Sequence, residues 1–195
     1  MSTLVLLHSA LGRTPGMEGI AERFTAAGHT VHIPDFYEGR TFTTAEAGVG
    51  HAQEVGFSTL VDRVSAACEG LGDELVFAGL SLGAAIAQQM GKNDTRARGV
   101  LLFHGGGFPK PTRWQEQVPV QANFAVDDEW RTPGTIETLM ESATRAGAQA
   151  EHFLYPGSTH LFSDPTLLDY REEAADLLYS RALAFLDRAQ DSGRP

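Results

Sequence analysis

Cysteine is almost absent from this chain. Cys68 stands alone among 195 residues, which rules out an intramolecular disulfide framework. It falls in a helical pattern with Leu60, Val61, Val64, Ala67 and Leu71, and no cationic cluster surrounds it, so it reads as a small core residue rather than a reactive thiolate. Basic residues are also scarce, 15 Lys plus Arg against 25 Asp plus Glu, for a formal charge of -10. A polyanion would be repelled over most of such a surface, so no nucleic-acid partner is expected. No apolar run approaches the ~20 residues needed to span a bilayer. The run Leu4–Leu7 is too brief, and too poor in basic flanks, for a signal peptide. The expectation is a cytoplasmic protein with no membrane partner. Internal repeats and low-complexity tracts are missing as well, and the polar stretch 190–195 reads as a frayed tail behind one domain spanning 1–189.

What is present is an alternation of short apolar runs with amphipathic stretches. It predicts an α/β fold, a mainly parallel sheet of about six strands with helices on both faces. The strands fall at Thr3–His8, Thr30–Pro34, Glu74–Ala78, Val100–His104, Val120–Val126 and Glu151–Tyr155. Their near-continuous hydrophobicity fits burial on both faces. Helices are expected at Pro15–Ala27, Ala52–Leu71, Ser81–Gly91, Thr135–Ala146 and Leu167–Ala189. Two stretches, Asp35–Gly50 and Gly105–Gln117, resist regular assignment. Both begin at carboxyl ends of strands, where open α/β sheets bind ligands.

Chemistry concentrates at Gly79-Leu80-Ser81-Leu82-Gly83, a Gly-x-Ser-x-Gly pattern at a strand-to-helix junction. That is the context of a nucleophile elbow, in which a tight turn exposes the serine and leaves no room for side chains at the flanking positions. A serine hydroxyl needs a base to take its proton. Partners in such folds follow in the order serine, acid, histidine. Of the later histidines, His160 alone lies in a loop just past a strand; His152 sits inside a strand and reads as structural, and His104 ends one and could touch the pocket. The acid should follow Val120–Val126, where Asp127 and Asp128 stand side by side. Its task is to accept the second imidazole N–H, and adjacent residues point apart, so only one of the two can serve. An oxyanion would be held by backbone amides: Leu82, at a helix N-terminus, and Ala10, in the loop after the first strand.

The segments Leu7-His8-Ser9-Ala10-Leu11-Gly12, Pro34-Asp35-Phe36-Tyr37-Glu38-Gly39, the elbow, Ala125-Val126-Asp127-Asp128-Glu129-Trp130 and Pro156-Gly157-Ser158-Thr159-His160-Leu161-Phe162 together resemble the dienelactone hydrolase family of α/β-hydrolases. The likeness spans nearly the whole chain and implies an α/β-hydrolase fold without a substantial lid domain. In that family the acid closes a Gly-x-x-Asp pattern, which maps onto Ala125-x-x-Asp128 and favours Asp128. The resemblance carries the triad over as Ser81, Asp128 and His160. It departs at two points: founding members use cysteine at the elbow, and they carry a glutamate where this chain has Ser9. It therefore implies a serine-nucleophile variant. Arginines that hold a substrate carboxylate in the family have Arg13, Arg40, Arg113 and Arg131 as possible counterparts.

Ser9, Phe36, Tyr37, Phe108, Trp130 and Phe162 fall in loops at the expected carboxyl edge and are candidates for a substrate pocket, as is Phe42. Glu54 and Phe57 could reach the same region. The expected chemistry is hydrolysis of a small soluble ester or lactone with no metal or organic cofactor, since the short connection after Val100–His104 leaves little space for a lipase-like lid. A general carboxylesterase or thioesterase is the alternative within the enzyme class. A hydrolase fold kept as a binding module is the alternative outside it.

Overall fold

The computed structural model describes residues 1–191. In chain order it runs β1 (Thr3–Leu7), α1 (Pro15–Ala26), β2 (Thr30–His32), α2 (Ala45–Val55), α3 (Phe57–Ala67), β3 (Leu75–Leu80), α4 (Leu82–Asn93), β4 (Ala97–Phe103), β5 (Val120–Ala125), α5 (Thr135–Arg145), β6 (Ala150–Tyr155) and α6 (Glu172–Asp191). All six strands pair in parallel in the order β2-β1-β3-β4-β5-β6. The α/β expectation from the apolar periodicity is therefore met. Winding reverses between β1 and β3, and the carboxyl edge at that reversal is where such sheets open a crevice.

Strand alternation divides the interior into two layers. Val5, Leu7, Phe77, Val100 and Leu102 face a core closed by α3, α4 and α5 through Leu60, Val64, Ile86, Met90 and Leu139. Leu4, Leu6, Val76, Leu101 and Phe103 face the opposite core, where α1 and α6 supply Ile20, Phe24, Leu178, Tyr179 and Leu186. Truncating one of the fully buried aromatics, such as Phe77, to alanine costs about 3–5 kcal/mol. Buried polar residues on β5 are internally satisfied: Tyr155 donates to Asn123 Oδ1 at 2.8 Å, and Asn123 donates to Gln121 at 3.1 Å.

Three expectations need correction. The single helix over Ala52–Leu71 is two helices, because Gly56 takes φ 89°, a left-handed conformation open to glycine; its amide closes α2 on Ala52 and its carbonyl receives Leu60 to start α3. The supposedly irregular Asp35–Gly50 ends in helix, because the Thr44 side chain accepts the Ala47 amide and caps α2. The last helix begins at Glu172, not Leu167. Backbone groups of the preceding residues are spent on turns, with Asp164 accepting from Thr166 and the Tyr170 amide bonding to Leu167. At its other end α6 carries through Gln190 and Asp191, so those two are not tail, and 192–195 lie outside the described residues. The edge strand β6 also departs from two-sided burial: His152 is exposed and Leu154 is 42% exposed.

Candidate active site

The end of β3 turns into α4 through one residue. Ser81 has φ 53° and ψ -110°, a strained conformation for a residue with a side chain, of the kind that clusters at functional positions. The turn works because its neighbours are bare. A Cβ on Gly79 would lie 2.3 Å from the Gly83 carbonyl, and one on Gly83 would lie 2.3 Å from the Leu7 carbonyl oxygen. The sequence pattern named those two; it did not name Gly105, whose Cβ would come within 2.5 Å of the Ser81 carbonyl oxygen. Its signal was the Gly-Gly-Gly run directly after β4. The Ser81 amide donates to Phe103 O at 2.8 Å, holding the elbow to the neighbouring strand.

Above this turn three side chains form a hydrogen-bonded row. Ser81 Oγ lies 2.9 Å from His160 Nε2, and His160 Nδ1 lies 2.8 Å from Asp128 Oδ2. Of the two adjacent aspartates, Asp128 is 6% exposed and bonded to His160, whereas Asp127 is exposed. Burial pushes the Asp128 carboxyl up, but the His160 hydrogen bond and the Trp130 amide at 2.9 Å hold it below the usual carboxylate range. An anionic Asp128 can only accept, so His160 carries its proton on Nδ1. Its Nε2 lone pair is thereby free to receive the proton of Ser81.

Leu82 is the first residue of α4, so its amide has no acceptor one turn back in the helix. Ala10 lies in the β1 loop, 3% exposed, with its carbonyl so close to α2 that a Cβ on Gly48 would fall 1.8 Å from it. The same loop is closed by Ser9, whose Oγ accepts the Leu11 amide at 3.2 Å while its carbonyl accepts Gly12 at 3.1 Å. His8, to which no role was assigned from sequence, fixes the loop's other side. Its Nδ1 donates to Ser9 O at 2.7 Å and its ring stacks on Phe36 at 3.6 Å. Burial outweighs the Ser9 and Asp35 contributions and lowers its pKa to about 4, so it is neutral at ordinary pH.

Most of the aromatic candidates are interior. Phe36 and Tyr37 are 1% exposed, Phe162 is fully buried and Phe108 is 8% exposed against Trp114. Loop position predicted a pocket lining; the structure instead uses these rings to fasten loops, as when Tyr37 donates to Gly48 O at 2.9 Å. Ser9 is likewise 5% exposed. Trp130 differs: it is 43% exposed, and its ring centroid lies 5.9 Å from that of His160. Of the arginines, Arg13 pairs with Glu18 at 2.6 Å and Arg113 lines a surface groove with Lys92 and Thr95 at the far end of α4, whereas Arg131 lies beside the row, its amide donating to Asp128 O at 3.1 Å. Glu54 is exposed and Phe57 is 43% exposed at the α2–α3 break. Cys68 is fully buried, and burial raises its thiol to about 11.

The family model for dienelactone hydrolases matches residues 1–190. The chain belongs to the dienelactone hydrolase family. No curated protein matches its sequence. Solved structures share the family fold at low identity. A dienelactone hydrolase-like promiscuous phosphotriesterase, P91, from metagenomic libraries is 17% identical with a TM-score of 0.78, covering 97% of this chain and 87% of its own. A chain designated m3DLH is 15% identical with a TM-score of 0.80, covering 96% and 86% respectively. Esterase 2 of Thermogutta terrifontis, in a form phosphonylated by cyclosarin, is 15% identical with a TM-score of 0.69, covering 96% and 82%. Among the described residues no helix is long and apolar enough to cross a membrane, and no cluster of three His, Cys, Asp or Glu could hold a metal ion.

Proposed function

We propose that this member of the dienelactone hydrolase family is a serine hydrolase of small soluble esters or lactones, with residues 1–189 acting as one catalytic domain. The observation that carries the reading is the row of bonds from Ser81 Oγ to His160 at 2.9 Å and from His160 to Asp128 at 2.8 Å, raised on a strained turn. Ser81 Oγ attacks the carbonyl carbon as its proton passes to His160 Nε2. Asp128 stabilises the imidazolium, and the amides of Leu82 and Ala10 receive the oxyanion. Collapse expels the alcohol oxygen, which takes the proton from His160 and leaves an acyl group on Ser81. Water then attacks with the same base and releases the acid. For a lactone the expelled alcohol stays attached, and the final product is a single hydroxy acid.

A serine of this kind also reacts at phosphorus, and the two organophosphate-linked structural neighbours make such reagents the natural probes. The test is turnover of p-nitrophenyl esters of graded chain length and of small lactones by the wild type and by Ser81→Ala. Hydrolysis of at least one short-chain substrate, lost by about 10⁶-fold in the variant, is the expected result. Equal rates in the two proteins would remove the nucleophile from the proposal.

A further inference from the structure

Outside the Ser81–His160–Asp128 row, a buried histidine packs beside the turn that carries His160. His104 directly follows β4 and is 2% exposed, with its backbone held at φ 57°. Its amide donates to Asn123 O on β5 at 2.8 Å, so the residue is part of the rigid sheet edge. Its ring meets Phe162 edge-on at 4.6 Å and faces His160 at 6.3 Å between centroids. The one polar contact of the ring runs from Nε2 to Ser163 Oγ, 2.7 Å away. Ser163 is fully buried and lies three residues beyond His160. The serine is gripped from the other side too, because its carbonyl accepts the Tyr179 hydroxyl of α6 at 3.0 Å.

An imidazole is a costly choice for this position. The His104 Nδ1 is buried without a partner, and an unsatisfied buried polar atom costs on the order of 1–3 kcal/mol. Orphaned N–H groups are rarer than orphaned acceptors, which puts the proton on Nε2, donating to Ser163 Oγ. A phenyl ring would fill the space without that cost. It would also leave the turn His160–Ser163, whose Leu161 already sits at φ 58°, without its tie to the sheet.

We propose that His104 is a positioning residue for His160, fastening through Ser163 the turn that carries the imidazole to the serine; this rests on the triad reading above. Neutrality is part of the role. Burial, with His160 beside it, lowers His104 to about 3 despite the opposing pull of Asp128. His104 therefore adds no second charge when His160 becomes an imidazolium.

The experiment compares Ser163→Ala, His104→Phe, the double variant and His104→Gln, which keeps an N–H donor. Each single loss of the bond should lower kcat for ester hydrolysis by about ten- to a hundred-fold, the scale of a small misplacement of a reacting group, with KM within about two-fold. The double variant should lose no more than the worse single, and His104→Gln should recover part of the loss. A kcat for Ser163→Ala within about two-fold of wild type, or additive losses in the double, overturns the proposal. Ser163→Ala removes one oxygen only, so it carries the test even where His104→Phe fails to fold. Fluorophosphonate labelling separates the two levels. An unlabelled wild type defeats the serine-hydrolase reading together with this one, whereas Ser163→Ala labelled as fast as wild type defeats this one alone.

Discussion

The elbow at Ser81 and the turn at His160 deliver the two ends of one hydrogen bond, yet they are held by different physics. The elbow is set by backbone sterics: glycines at 79, 83 and 105 let three chain segments approach to distances that a Cβ would forbid. The histidine turn is set by side chains from distant parts of the chain, with His104 binding Ser163 Oγ and Tyr179 binding its carbonyl. A steric device leaves a short local motif. A network of long-range bonds leaves none.

The comparison is put under the greatest strain at the far end of the row. Asp128→Asn keeps the shape but can present an amide N–H to His160 Nδ1, favouring the wrong tautomer. Turnover should fall by about 10⁴-fold, while Asp127→Asn, one residue away and exposed, should leave it within about two-fold. Steady-state ester hydrolysis by the two variants decides the matter; the reverse ranking would move the acid to Asp127.

Legibility followed the same division. Strand order could not be written down from sequence, but the strands themselves could, because two-sided burial of β1 and β3 demands continuous apolar runs. The members of the hydrogen-bonded row could be named from sequence, Ser81 and His160 from motif and loop position and Asp128 from a family pattern. The helix break at Gly56 was missed because the apolar periodicity runs on through it. His8 and Ser163 carried no local signal, and His104 only its place at a strand end: their meaning lies in partners such as Phe36, or in a serine 59 positions away. The loop aromatics misled for the opposite reason. A phenyl ring at a strand's carboxyl end can line a pocket or clamp a loop, and only the three-dimensional packing of Phe36, Tyr37 and Phe162 decides for clamping.

A smaller effect probes both regions together, because each rests on a buried neutral histidine, His8 beneath the Ala10 loop and His104 beneath the His160 turn. Their folded pKa values, about 4 and about 3, lie below the ordinary 6.5. Between pH 6.5 and those values the unfolded chain binds protons that the folded chain refuses. Stability should therefore be whole above about pH 6.5 and fall as the pH drops toward 3, by up to about 1.4 kcal/mol per pH unit for each histidine. Urea unfolding midpoints across that range give the slope, which should be shallower in His104→Gln. Midpoints that stay level from pH 7 to 4 would mean that both imidazoles accept protons in the folded state.

The proposed hydrolase needs one activated hydroxyl, and covalent capture reads it without knowledge of the substrate. Incubation with a fluorophosphonate followed by peptide mass mapping should find a single stoichiometric adduct on Ser81, absent in Ser81→Ala and slowed by orders of magnitude in Asp128→Asn. A folded wild type that stays unlabelled, or that carries the adduct on another residue, would contradict it.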